Sequence, residues 1–204
     1  VGRPGLADVD HIAAVRELVG PDIAIKMDSN QGWDYPTAVA NINAMKPFNL
    51  QYSEQPLAVW DFDNLARLRD KVELPICVDE SVFDHRDAFK LVKQGAADFL
   101  NIKLGKSGGI HTALKINAIA EAHQVPVIPH AGQMHNYHLT MSNFNCPISE
   151  FFPVHDVEIG NELFYYIFEG DPTPENGFID LDDNKPGLGL TITDKYKSDF
   201  NIIE

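Results

Sequence analysis

The chain has 204 residues, 44% of them hydrophobic and 23% charged, enough to bury a substantial core without a second domain. Its net charge of −14 argues against nucleic acid and anionic membrane partners, which reward clusters of Lys and Arg; a small anionic substrate stays open if a metal and a few lysines reverse the local potential. No apolar run approaches the roughly 20 residues of a membrane span, and the start shows no signal-peptide pattern. Cys77 and Cys146 lack metal-ligand spacing, so free thiols and a cytoplasmic location are expected.

In chain order, Val9, Ile12, Ala13, Val15, Leu18 and Val19 fall on helical spacing, and Gly20-Pro21 ends that helix. A strand is predicted over 23–28. Pro36 in a first turn opens a helix carrying Ala38, Val39, Ile42 and Met45, and a strand runs from Leu50 to Ser53. Phe62, Leu65, Leu68 and Val72 mark the next helix, followed by a strand from Pro75 to Val78. Ala88, Phe89, Leu91 and Val92 predict another helix and Asp98 to Ile102 a strand. Ile110 to His123 reads as a helix beyond Gly108-Gly109, and Val125 to Ile128 as a strand ending at Pro129-His130. A helix through Leu139 and Met141 and a short strand from Ile148 to Phe151 complete the pattern.

Three of these strands end in an acid: Asp28, Glu54 and Asp79. The intervals are 54 − 28 = 26 and 79 − 54 = 25 residues, close to one strand plus one helix, since a barrel of roughly 250 residues holds eight such units. Parallel strands with helical crossovers put the three carboxylates on one rim. A hard cation such as Mg²⁺ prefers oxygen ligands, so that rim is a candidate metal site. A doubly wound open sheet would use the same units, but functional residues at the ends of many successive strands favour a closed barrel. Strand ends at Asp28, Glu54, Asp79, Lys103, His130 and Glu150 count to six, and closure needs eight. Val1-Gly2-Arg3-Pro4 reads as the loop leaving an earlier strand, so two strands are expected upstream. Residues 1–152 form the expected barrel portion. From about Pro153 the periodicity fades, and 153–204 are expected to be a C-terminal extension packed on the barrel or on a capping domain.

Asp28-Ser29-Asn30-Gln31-Gly32-Trp33, Glu54-Gln55-Pro56, Asp79-Glu80-Ser81 and Lys103-Leu104-Gly105-Lys106-Ser107-Gly108-Gly109 stand in order at barrel spacing. With these four segments the chain resembles the enolase superfamily, in its mandelate racemase and muconate lactonizing branch. The resemblance implies a modified TIM-type (β/α)₇β barrel, with its first strands and an N-terminal capping domain lying outside this sequence. It implies an essential Mg²⁺ and removal of a proton α to a carboxylate, giving an enediolate held by the metal. Asp28, Glu54 and Asp79 carry over as ligands, with Glu80 a competitor for the third place. Adjacent strand residues point opposite ways, so Asp79 and Glu80 both reach the rim only if the strand has ended.

Lys103 ends the sixth strand of such a barrel, where the family places an acid or base; its plainer reading is a lysine paired with the carboxylates. Lys106 is expected to face solvent. Lys26 shares a face with Asp28 and, with Asn30, is expected to contact substrate or support the site. His130 ends the seventh strand, where racemases and sugar-acid dehydratases place an acid or base paired with a sixth-strand aspartate. Lys103 holds that aspartate's position here, so the dyad is absent. Glu150 ends the eighth strand as an acid that can bond the substrate carboxylate, or as a buried structural carboxylate. His135 and His138 read as surface or supporting residues, and a Lys base is expected just upstream of Val1.

The first functional reading is an Mg²⁺-dependent sugar-acid dehydratase, a hydro-lyase that removes the α-proton of an aldonate or aldarate and then expels the β-hydroxyl with help from His130. The runner-up is a racemase, epimerase or cycloisomerase working Lys103 against the upstream base. A barrel that binds an acid without turning it over is the third. The expected partners are a small carboxylate substrate and further copies of the chain, whose fold is completed by the upstream sequence.

Overall fold

The computed structural model describes residues 1–2, 7–152 and 161–200, excepting the side chains of residues 161 and 162. Helix α1 (Ala7–Val19) leads to β1 (Ile25–Asp28), α2 (Tyr35–Ala44), β2 (Leu50–Glu54), α3 (Phe62–Lys71), β3 (Ile76–Val78), α4 (His85–Lys93) and β4 (Phe99–Ile102). A short α5 (Leu104–Ser107), then α6 (Gly109–Ala122), β5 (Val127–Pro129) and α7 (Met134–Ser142), follow. The five strands form one sheet in the order β1-β2-β3-β4-β5, every pair parallel, as expected when each crossover is a helix.

Local chemistry sets the helix starts. Asp34 accepts the Thr37 N–H at 2.9 Å with Pro36 in the first turn, Asp61 accepts that of Asn64 at 3.4 Å, and Asp84 accepts that of Arg86 at 2.7 Å. The apolar stripes of these helices and of α6 bury Ala38, Ile42, Leu65, Leu68, Ala88, Leu91, Ala113 and Ile116 against the outer sheet face, which presents Ile25, Met27, Ile76, Val78, Leu100, Ile102 and Val127. Each fully buried Leu or Ile contributes about 1.5–3 kcal/mol to this layer. The opposite face holds a smaller cluster, Tyr52, Cys77 and Ile128 with Phe99 packed on it, as the floor beneath the strand ends. Cys77 and Cys146 are buried free thiols.

Three expectations about the sheet change, the first being the strand predicted over 23–28, which runs only from Ile25 to Asp28. Residues 148–151 are not a strand, so five strands stand where six were counted. Pro147 has no N–H to give to a ladder and Ile148 is exposed; the segment's link to β5 is the Val127 N–H bond to Asn145 O at 2.9 Å, just before it. The strand expected from Val125 starts two residues later, because Val125 N–H bonds back to Ala120 O at 2.9 Å and closes α6. Among the described residues β1 and β5 remain the two edges, and the curled sheet is part of a barrel rather than a closed one.

Beyond the barrel portion lie α8 (Asn161–Ile167), an antiparallel pair β6 (Phe168–Glu169) and β7 (Thr191–Ile192), and α9 (Asp194–Phe200). This segment meets α7, where His138 Nε2 lies 3.4 Å from Leu188 O. Among the described residues no helix is long and apolar enough to cross a membrane.

Candidate metal centre and active site

Parallel pairing fixes the rim. Asp28 stands opposite Glu54 in register, and Glu54 stands opposite Cys77, two residues before Asp79. The strand β3 has ended at Val78, so both Asp79 and Glu80 lie beyond the pleat and the alternation that separates neighbours no longer applies. Asn101 pairs with Ile128 and Ile102 with Pro129, which sets Lys103 beside His130 at the ends of β4 and β5.

The rim side chains are heavily engaged. Asp28 Oδ1 accepts the Asn30 N–H at 2.7 Å, with Asn30 in the left-handed region at φ 45°. Glu54 Oε1 accepts from Asn101 Nδ2 at 2.9 Å, and the same amide nitrogen reaches Glu150 Oε1 at 3.3 Å. Glu150 Oε2 accepts the Ala131 N–H at 2.7 Å, so this residue joins the site although its segment is not a strand. Lys106 donates to both Asp79 O and Asp79 Oδ1 at 3.1 Å, and His130 Nε2 lies 3.8 Å from Asp79 Oδ2. Lys106 thus corrects its expected solvent-facing place: α5 begins directly after β4 and turns its third residue back over the rim.

Lys103 is exposed, and among the described residues it forms no ion pair, against its plainer reading as a partner of the carboxylates. His130 Nδ1 is buried without a hydrogen-bond partner, in keeping with the missing aspartate. Its turn is clamped instead through the backbone. Asn136 Nδ2 donates to His130 O and Ala131 O, and a Cβ on Gly132 would lie 2.6 Å from the Tyr137 hydroxyl. Lys26 sits on the inner face two residues, or about 7 Å, below Asp28, its Nζ 5.3 Å from the centre of the Tyr52 ring. It therefore lies at floor level.

The electrostatics are those of crowded carboxylates. Burial, reinforced by the charges of Asp28, Asp79 and Glu150, pushes the Glu54 carboxyl up to about 9. Burial also raises Asp28, against the Asn30 N–H and with Asp79 adding, and raises Glu80. Among the described residues no three His, Cys, Asp or Glu side chains close around one point as placed; each rim carboxylate turns to a protein partner. The donor set still suits a hard divalent cation. It is all oxygen, it comes from three adjacent strand ends, and its mutual repulsion is what such a cation relieves.

A pH dependence follows. Glu54 holds its proton more tightly folded, at about 9, than an ordinary carboxyl at 4.5. Its contribution to stability is therefore complete below about pH 4.5 and is lost as pH rises toward about 9. In chelator, the melting temperature of the intact protein is expected to fall from pH 6 to pH 9, and Glu54→Gln to flatten that fall. A wild-type melting temperature that rises over this range would contradict the assignment.

The family described as enolase C-terminal domain-like matches residues 1–196. This chain belongs to the enolase superfamily, in its mandelate racemase and muconate lactonizing branch. It is 33% identical to an N-succinyl-L-Arg/Lys racemase of Bacillus cereus, over 100% of the chain and 55% of the relative. It is 45% identical to a hydrophobic dipeptide epimerase of Enterococcus faecalis, over 59% of the chain and 34% of the relative. Among solved structures it resembles an L-talarate dehydratase from Polaromonas sp. JS666 in complex with Mg and L-glucarate, at TM-score 0.84 and 31% identity, covering 97% of this chain and 51% of that one. The chain therefore spans about a third to a half of these superfamily members, which are mostly epimerases and racemases with dehydratases among them.

Two polar residues to which the sequence reading gave no role join the rim: Asn101, which ties Glu54 to Glu150, and the fully buried Gln55, whose amide oxygen accepts the Asp79 N–H. Asn101 carried a signal, an amide in an otherwise apolar strand two residues before Lys103. The cleft of about 600 Å³ lined by Trp60, Phe83 and Lys90 contains none of the rim carboxylates.

Proposed function

We propose that this chain carries the catalytic barrel portion of an Mg²⁺-dependent racemase or epimerase acting on a small carboxylate. The compounds named for its relatives suggest a dipeptide or an N-acylated amino acid. The isomerase reading displaces sugar-acid dehydration as the first choice. The observation that carries it is Lys103, exposed at the rim, free of ion pairs among the described residues, and standing where the dehydratase dyad would need an aspartate.

Asp28, Glu54 and Asp79 would hold the ion, with Asn30, Asn101 and Lys106 fixing their orientations. Mg²⁺, when bound, lowers the cost of placing a second negative charge on the substrate carboxylate. Lys103, as its neutral amine, takes the α-proton from one stereoisomer and, as the ammonium, delivers a proton to the same face when the opposite stereoisomer is the substrate. Inversion needs a second proton carrier on the opposite face of that carbon, and the free edge of β1, across the sheet from Lys103, is the side from which it would come. Glu150, held by Asn101 and the Ala131 N–H, faces the substrate's polar end. Lys26 supplies positive charge from below.

Dehydration stays the second reading because His130 stands beside Asp79, placed to protonate a departing hydroxyl. Product analysis separates the two. The intact protein with Mg²⁺ is expected to convert one stereoisomer of an N-acylated amino acid or dipeptide into the other, and His130→Asn to keep this activity within about tenfold, since a group outside the proton transfer loses less than the 10²–10⁴ of general acid–base catalysis. A 2-keto-3-deoxy acid formed from an aldonate or aldarate, and lost in His130→Asn, would establish the dehydratase.

A further inference from the structure

Gln55 is fully buried, follows Glu54 directly, and sits with its backbone at φ 31°, in the left-handed region. A long side chain pays for that conformation only if its bonds demand it. Its amide is saturated. Oε1 accepts the Asp79 N–H at 3.1 Å and the Ser81 N–H at 3.2 Å, while Nε2 donates to Leu57 O and Ser81 Oγ, both at 2.9 Å. The orientation of the amide is fixed by this set, since a flipped NH₂ would face two N–H donors. The backbone of Gln55 extends the same connection, its N–H donating to Cys77 O at 2.9 Å and its carbonyl accepting the Gln31 N–H at 2.8 Å. On either side, Ser29 N–H bonds Glu54 O at 3.0 Å and Trp33 N–H bonds Pro56 O at 3.2 Å.

All three segments that end in a rim carboxylate therefore converge on this one residue. The loop after Asp28 hangs on its carbonyl, Glu54 is its covalent neighbour, and the main chain of Asp79 hangs on its side chain. β3 is only three residues long and ends before Asp79, so the ladder does not fix that carboxylate's main chain. Lys106 pulls on the Asp79 side chain, and the Gln55 amide holds its N–H from the other side.

We infer that Gln55 is the positioning residue of the metal centre, a buried amide that sets the spacing of Asp28, Glu54 and Asp79 and through it the affinity for the divalent ion. The inference rests on the reading of the rim as an Mg²⁺ site. The Gln55 amide bonds main-chain groups and the Ser81 hydroxyl, so it would act on the ion through the carboxylates.

The test is Mg²⁺ titration of the intact protein by calorimetry, with circular dichroism confirming the fold. Gln55→Met keeps the bulk and removes every side-chain bond; Gln55→Asn keeps the amide but withdraws it from Asp79 N by one methylene. Both are expected to weaken Mg²⁺ binding about 10- to 100-fold, the range found when groups that orient metal ligands are removed. Asn117→Ala is the comparison: it removes both bonds of a buried amide remote from the rim, to Asn143 at 2.8 Å and from the Cys146 thiol at 3.4 Å, and should lower the melting temperature without changing Mg²⁺ affinity. Folded Gln55 variants that bind Mg²⁺ like wild type would overturn the inference. So would loss of fold in both, or an Asn117→Ala loss of affinity equal to theirs, since each would reduce Gln55 to general stability. A wild-type protein that binds no Mg²⁺ would instead remove the metal reading itself.

Discussion

Replacing Asp28, Glu54 or Asp79 by its amide is expected to abolish Mg²⁺ binding in calorimetry at millimolar ion and to lower turnover about 10³-fold or more, because the ion's stabilisation of developing carboxylate charge is worth several kcal/mol. The loss should come without collapse of the fold. Burial, reinforced by neighbouring carboxylates, pushes the Glu54 carboxyl up to about 9, so near pH 8 the metal-free fold must hold a proton there that a neutral Gln does not need. The expected signature is therefore a metal-free Glu54→Gln variant at least as stable as wild type near pH 8 but blind to Mg²⁺. Glu80→Gln should bind Mg²⁺ within a few-fold of wild type. If Glu80→Gln loses the ion and Asp79→Asn keeps it, the third ligand has been misassigned.

Lys103 is expected to show the second large effect. Loss of a general base costs about 10²- to 10⁴-fold, so Lys103→Ala should lose exchange of the substrate α-proton with deuterated water by that factor. Lys103→Arg should be equally impaired, since a guanidinium keeps the charge but does not give up its proton in the working range. Mg²⁺ affinity should be unchanged in both, because Lys103 contacts none of the rim carboxylates. Retained exchange in Lys103→Arg would make the residue an electrostatic partner of the developing charge and remove its role as base.

Much of the rim was legible in the sequence because strand ends announce themselves there. Short apolar runs closed by Asp28, Glu54 and Asp79, separated by helical stretches of constant length, translate into adjacent parallel strands with no need of long-range information. The site's support was not legible. Asn101 reaches Glu54 and Glu150 across 47 and 49 residues, and Gln55 reaches Asp79 and Ser81 across 24 and 26, so their roles exist only once the strands are side by side. Lys106 was misjudged because the turn of α5 that swings it back toward Asp79 leaves no periodic trace in four residues. The expected last strand failed for a related reason: Ile148 to Phe151 has strand-like composition, but Pro147 and the engagement of Glu150 with Ala131 and Asn101 give it a different task. A motif resemblance set the order of the two chemistries, and the relatives reverse that order without removing either. Pro129-His130 suggested a dehydratase, whereas the weight of relatives and Lys103, free of ion pairs among the described residues, favour an isomerase.

The central claim is that three strand ends converge on one ion, and a crystal structure of the intact protein grown with Mg²⁺ tests it most directly. The account predicts a single ion with one oxygen each from Asp28, Glu54 and Asp79 at about 2.0–2.1 Å, the Gln55 amide still bonded to the Asp79 N–H, and Lys103 Nζ facing the open coordination side. An ion held by other residues, or a rim whose carboxylates stay apart at saturating Mg²⁺, would contradict it.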